Sequence, residues 1–194
     1  MKLFLLFVAT SISLTSFAQP SYKEKMKEYQ HMHKADLAKE LHVDTAKVKF
    51  YPLNTSLIVK AKIELLQNEK VFDMVTSSGK TKEAVKYAKA TFNYNGKEYH
   101  LNAYQLIALK SSKEYANNFF IPFKDDGSGK ESYMGGRYLD FVTEDIKDGT
   151  LEIDFNKAYN PNCAYVTGYN CPIPPAENRL GFAVNAGTKK FEGH

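Results

Sequence analysis

The segment that most restricts how this chain folds lies near its middle. Ala88, Ala90, Phe92 and Tyr94 alternate with Lys89, Thr91 and Asn93; Asn95-Gly96 follows, and Tyr99, Leu101 and Ala103 resume the alternation. A period of two puts every second side chain on one face of a strand. Asn-Gly suits the gap between two strands, because both residues tolerate the positive φ of a tight hairpin turn. The string therefore predicts an antiparallel hairpin with one apolar face. A lone hairpin is at best marginally stable in water, so the rest of the chain has to supply neighbours that cover that face.

Those neighbours are legible on both sides. Leu57, Val59, Ala61, Ile63 and Leu65 alternate with more polar residues, and Val71, Asp73 and Val75 form a shorter run. Gln67-Asn68 and Ser77-Ser78-Gly79 read as turns. Together these predict an antiparallel meander from about 47 to 109. Phe119 to Phe123 is a short apolar strand, followed by a polar, Gly-containing loop from Asp125 to Glu131. Further strands are expected at 136–142, 150–156 and 179–186, with Asp148-Gly149 turning into the second. Residues 157–178 hold four prolines and both cysteines, which predicts an ordered loop. The abundance of Tyr and Phe, 13 of each, suits pleated surfaces. Ahead of the sheet, Tyr22, Met26, Tyr29, Leu37 and Leu41 recur at helical spacing within 21–42. His31 and His33 lie two apart and point to different sides of such a helix, where a metal pair takes a spacing of four. Both are read as solvated. The expected fold class is mostly β (α+β): an antiparallel meander, curved or barrel-like, with the N-terminal helix packed on it and a long ordered C-terminal loop closing one end.

The N-terminus carries Lys2, an apolar run from Leu3 to Ala9, a softer stretch to Phe17, and small residues at Ser16 and Ala18. These are the three parts of a secretory signal peptide, cut near Ala18. The run is too short for a permanent span, which takes about 20 apolar residues. The expected organisation is a signal peptide at 1–18, a helical segment at 19–46 and a single β-rich domain at 47–194. The product is expected to be soluble and periplasmic or extracellular. The net charge is +4 and falls to +3 without Lys2. The lysines are spread along the chain, and nucleic-acid binding calls for a concentrated basic patch. No nucleic-acid partner, membrane span, cofactor or metal is expected, and oligomeric state is not legible.

Unusual residues gather in three segments: Glu131-Ser-Tyr-Met-Gly-Gly-Arg-Tyr138, Asp154-Phe-Asn-Lys-Ala-Tyr-Asn-Pro-Asn-Cys163 and Cys171-Pro-Ile-Pro-Pro-Ala-Glu-Asn-Arg-Leu180. With Asp73-Met-Val-Thr-Ser-Ser-Gly79 and Phe120-Ile-Pro-Phe-Lys-Asp125, they make most of the chain resemble the bacterial and archaeal family called domain of unknown function 1684. The resemblance implies no reaction. It points to the same three segments as the location of interest. One departure is Ala186-Gly-Thr-Lys189, where the family usually has Glu between Gly and Lys. Nothing that needs a carboxylate at position 188 carries over.

Read as chemistry, Leu151, Ile153 and Phe155 take one strand face, which leaves Glu152, Asp154 and Asn156 on the other. Arg137 has the opposite parity to Tyr138 and Asp140. An Asp154–Arg137 or Asp154–Arg179 pair would hold a polar or anionic ligand, since Arg offers a planar fork; it would equally serve as a structural ion pair pinning the proline-rich loop. Glu177-Asn178-Arg179 follows Pro174-Pro175, which would present the triplet to a ligand or use Asn178 and Arg179 to lock the turn. Tyr133, Tyr138, Tyr159, Tyr165 and Tyr169 flank these segments and suit either a ligand cleft or a half-buried core edge. Cys163 and Cys171 read first as a disulfide. A metal site would need two more ligands, with His42 and His100 available by elimination, and a reactive or inert thiol pair is the remaining reading.

Gly127-Ser-Gly-Lys130 is no phosphate loop, because Lys124 stands where the first Gly belongs and Glu131 where Ser or Thr does. Asp125-Asp126-Gly127 lacks the alternating acidic ligands of a calcium loop. Three functions follow. The first is a small polar-ligand binding protein of the cell envelope, with candidate contacts Tyr133, Arg137, Tyr138, Asp154, Asn156, Tyr159, Glu177, Asn178 and Arg179. The second is a structural or interaction domain in which those residues bond one another. The third is a hydrolase with Asp154 or Glu177 as general base.

Overall fold

The computed structural model describes residues 19–193, so the predicted signal peptide lies outside the described residues. The described residues open with helix α1, Tyr22–Leu41. Ser21 and Glu24 form a reciprocal capping box at its start, with the Ser21 N–H donating to the Glu24 carboxylate at 2.7 Å. His42 ends it in the left-handed conformation. The buried residues are Met26, Leu37 and Leu41, one stripe of the predicted periodicity. Leu37 and Leu41 pack with Val43, Val48, Ala164 and Tyr165.

Seven antiparallel strands follow: β1 (Ile58–Leu65), β2 (Phe72–Val75), β3 (Thr81–Tyr94), β4 (Lys97–Leu106), β5 (Asn118–Phe123), β6 (Arg137–Val142) and β7 (Thr150–Asp154). A one-turn helix, α2 (Ile107–Lys110), links β4 to β5. The sheet runs β6-β5-β4-β3-β1-β7. The meander expected from about 47 to 109 holds for β3 and β4 and runs on through β5 and β6, whereas β1 and β2 do not pair with each other. The long β3 pairs β1 through Ala88–Thr91 and β2 through Thr81–Ala84, so β1 and β2 share one of its edges in succession. Asn95 and Gly96 take positive φ and bring Tyr94 opposite Lys97, the predicted hairpin. Asp148-Gly149 does the same between Lys147 and Thr150.

A bulge between Lys86 and Ala88 in β3 decides which face each residue serves. One extra residue reverses the alternation. Ala84 therefore joins Met74, Tyr104, Phe120 and Tyr138 on one face, whereas Ala88, Ala90 and Phe92 join the main core on the other. The curled sheet encloses that main core with Leu101, Ile121, Phe123, Ile153 and Phe155. The second face remains aromatic and partly open, and it carries the hollows described below.

The segment 179–186 is not a strand. Lys124 N–H donates to Asn178 O and Leu180 N–H to Lys124 O, giving one isolated bridge, and Asp126 N–H donates to Phe182 O beyond it. The carbonyls of Val184 and Ala186, and of Thr188 just beyond, turn instead to the Arg137 guanidinium, which satisfies them as a neighbouring strand would have done. Gly187 permits the approach: its φ is +76°, and a β-carbon there would strike the Ala158 carbonyl.

Candidate functional site

The predicted Arg and Asp residues do not form one cluster. Arg137 is 1% exposed. Its Nη2 donates to Asp125 Oδ2 at 2.7 Å and to Val184 O at 2.7 Å, and its Nη1 to Ala186 O and Thr188 O. Arg179 pairs with Asp126 at 3.1 Å on the surface. Neither meets Asp154, contrary to the pairing expected above. The reason is register: Arg137 shares the inward face of β6 with Leu139, whereas Asp154 ends β7 under α1.

Asp154 is 6% exposed and accepts bonds from the Tyr22 hydroxyl at 3.2 Å, the Asn156 N–H at 3.0 Å and the Asn156 Nδ2 at 2.9 Å. Asn156 also exchanges two bonds with the Asn54 backbone. Asn178 is wholly buried; it accepts from Asn102 N–H and donates to Asn102 O and Pro122 O, stapling β4 to β5. Glu177 meets Lys86 at 3.1 Å and the Tyr104 hydroxyl at 3.2 Å. Partial burial alone would raise its carboxyl, but hydrogen bonds and Lys86 outweigh this and hold it below the usual range, the opposite of a poised base. Tyr133 donates to Cys163 O at 3.4 Å. Tyr165 packs on Phe191, and Tyr169 stands exposed. Cys163 and Cys171 are joined as a disulfide with Cα atoms 6.3 Å apart.

What the fold does bring together is a different constellation, centred on Asp140 and Tyr159. Asp140 has the outward parity of β6. Tyr159 crosses beside Tyr138 in an isolated antiparallel bridge, which carries its ring along the strand. The Tyr159 hydroxyl donates to Asp140 Oδ2 at 2.6 Å. Three hollows meet at this pair. One, of about 360 Å³, runs toward Tyr29, Glu152, Asp154 and Lys157. A second, also about 360 Å³, runs along α1 past His33 and Asp36. The third, about 290 Å³, runs over the apolar face past Tyr104, Leu106, Leu109, Tyr115, Phe120 and Tyr138.

Asp140 is open to solvent, yet protein crowds it from several sides because it sits in a concavity. That crowding pushes its carboxyl above the usual carboxylate range, and the Tyr159 hydrogen bond offsets part of the rise. Tyr159 itself is held well above its ordinary value by burial, then by Asp140, so it remains a donor. Helix α1 supplies the facing wall. The Tyr29 hydroxyl donates to Lys157 O at 2.7 Å, which fixes the ring. His33 lies against Tyr159, with ring centroids 5.9 Å apart. It is not solvated as its spacing suggested: it is half-buried, burial lowers its pKa, and its Nε2 has no hydrogen-bond partner among the described residues. His31 is exposed, as expected.

Of the predicted contacts, Tyr138, Asp154 and Tyr159 line these hollows, and Tyr133, Arg137, Asn156, Glu177, Asn178 and Arg179 do not. The residues that sequence reading missed are Asp140, Tyr29 and His33. A carboxylate on the outward face of an otherwise apolar strand was the available signal for Asp140. Among the described residues no helix is long and apolar enough to cross a membrane.

No curated protein matches the chain. A solved structure is similar to it: the solution NMR structure of the uncharacterized protein from gene locus rrnAC0354 of Haloarcula marismortui. The two share 26% identity over 89% of this chain and 100% of that one, with a TM-score of 0.62. Residues 44–189 match the family model described as protein of unknown function. That span holds Asp140, Asp154 and Tyr159 and excludes α1, so Tyr29 and His33 are added from outside it. The chain belongs to this family, DUF1684.

Proposed function

We propose that the protein binds a small ligand in the crevice around Asp140 and Tyr159. The observation that carries this reading is the meeting of three hollows at one hydrogen-bonded carboxylate–phenol pair. Binding sites are concave and largely apolar, with a few converging polar groups. The hollow over Phe120, Leu106 and Tyr138 has that composition, with Asp140 and Tyr159 among its few polar groups, and the two hollows beside α1 add further polar side chains. The candidate contacts thus move from an Arg/Asp cluster to an Asp/Tyr pair. Binding is preferred to hydrolysis because Asp154 is covered by Tyr22 and Asn156, and Glu177 is held ionised in a surface pair. It is preferred to a purely structural role because Asp140 stays open to solvent while Arg137, Asn156 and Asn178 do the locking.

The setting we propose is the cell envelope or the exterior. The charged, apolar and small-residue parts of 1–18 support export, and the Cys163–Cys171 disulfide accords with it. A mature N-terminus at Gln19 is expected by mass spectrometry of the exported protein, and an intact Met1 would contradict export.

The test of the site is chemical-shift mapping of a fragment library on 15N-labelled protein. Perturbed amides are expected around Asp140, Tyr159 and His33. Fragments that map elsewhere, or a library with no hits, would remove the reading.

A further inference from the structure

The crevice has a chemical bias that goes further than the reading above, on which it rests. The two hollows nearer α1 are lined by six carboxylates: Asp36, Glu40, Asp140, Asp145, Glu152 and Asp154. Lys157 is the one lysine or arginine among their lining residues, and burial works against a charge on His33. A concavity lined by one sign of charge focuses the potential and concentrates ligands of the opposite sign. An anion is therefore disfavoured there.

The form of the cation follows from how the carboxylates are spread. Among the described residues, no three His, Cys, Asp or Glu side chains come together as they would around one metal ion. A calcium ion takes 6–8 oxygens at about 2.3–2.6 Å. Dispersed carboxylates suit a bulkier cation with diffuse charge. Aromatic rings at the hub complete the match. Tyr159 stands edge-to-face with Tyr138 at 5.9 Å, Phe120 with Tyr138 at 5.5 Å, and His33 is tilted against Tyr159. Ring faces attract ammonium groups as well as hydrocarbon.

The third hollow supplies the other half of the ligand. It starts from the same Asp140 and Tyr159 and runs over Phe120 and Leu106 to a mouth where Leu109 is 43% and Tyr115 40% exposed. Its exposed lining is mostly apolar, so it favours hydrocarbon. We propose that the crevice binds an amphiphilic organic cation, an ammonium group carrying a short hydrocarbon chain, with the nitrogen beside Asp140 and the chain toward Phe120 and Leu109.

The experiment compares four probes of one chain length by calorimetry and shift mapping: hexyltrimethylammonium, hexylammonium, hexanol and hexanoate. At least one ammonium is expected to bind tenfold or more tightly than hexanol, with hexanoate weakest. Its affinity should fall as sodium chloride is raised from 20 to 300 mM, and hexanol should not respond. Asp140→Asn keeps an oxygen to accept the Tyr159 hydroxyl, and should bring the ammonium close to hexanol. Hexanol that matches both ammonium probes and still perturbs Asp140 and Tyr159 would overturn the cation assignment and leave the site standing. Probes that bind without perturbing that region, or a set of four that does not bind at all, would overturn the cation assignment; the fragment library then decides the fate of the site separately.

Discussion

Arg137 gives the sharpest quantitative test, because its large charged side chain suited either a ligand contact or a structural ion pair and is found inside the fold. Arg137→Met removes a guanidinium bonded to Asp125 and three carbonyls, those of Val184, Ala186 and Thr188. The Asp125 side chain is itself 1% exposed, and among the described residues its carboxylate would keep the Gly127 N–H at 2.6 Å as its one partner. Removing one member of a buried pair costs about 3–5 kcal/mol, since the other charge is left without compensation. Three orphaned carbonyls favour the upper part of that range. For a domain of this size each kcal/mol lowers Tm by about 2–4 °C, which predicts a drop of roughly 8–20 °C. Differential scanning calorimetry or circular dichroism measures it directly. The double variant Asp125→Asn/Arg137→Met should recover part of the loss, because no buried charge is then unpaired. A ligand-facing arginine would behave as a surface residue, with a change of about 0.5 kcal/mol. An Arg137→Met protein melting within about 2 °C of the parent would mean that Arg137 does not hold the 184–188 carbonyls and Asp125 in the folded interior.

Other outcomes follow from the same geometry. Asp140→Asn is expected to leave Tm at pH 7 unchanged or raised, by thermal denaturation. The sign follows from the raised carboxyl: its contribution to stability is fully present below the unfolded-state pKa and is lost as pH rises through the folded-state value. The variant should therefore gain on the parent as pH rises through the acid range, and a large loss of Tm at pH 7 would contradict this. Asn178→Ala should cost about 2–4 kcal/mol in urea titration, because it strands buried groups on Asn102 and Pro122. Reducing the Cys163–Cys171 bridge, with its eight-residue separation, should cost about 2.5 kcal/mol by the chain-entropy relation, measured by denaturation with and without reductant.

The sheet was legible because its information is local. A period of two and two-residue turns at Asn95-Gly96 and Asp148-Gly149 mark strands and hairpins without knowledge of distant partners. Helix α1 was legible for the same reason. The strand expected at 179–186 failed because its apolar alternation at Leu180, Phe182, Val184 and Ala186 is real, and these residues do face the core or its edge. The backbone bonds, however, go to a side chain rather than to a strand. Side-chain pattern reports burial and is silent about who satisfies the carbonyls. The Arg–Asp pairing failed in a similar way. Parity placed Arg137 on the opposite face from Asp140 correctly, but which acid it would meet depends on the loop at 125–128 folding back. The site itself was only partly legible. Tyr159 and Asp154 stood out by composition. Asp140 and His33 looked ordinary, since the hollow they both line joins residues over a hundred positions apart.

The Asp140–Tyr159 crevice is proposed as the functional surface, and this assignment stands or falls on binding. It is tested most directly by screening one fragment library against the parent protein, Asp140→Asn and Tyr159→Phe side by side, with Tm recorded for each. Both variants should fold, with Tm within a few degrees of the parent, and the fragments bound by the parent should weaken tenfold or more in at least one of them. Fragments that keep their full affinity for both folded variants would contradict it.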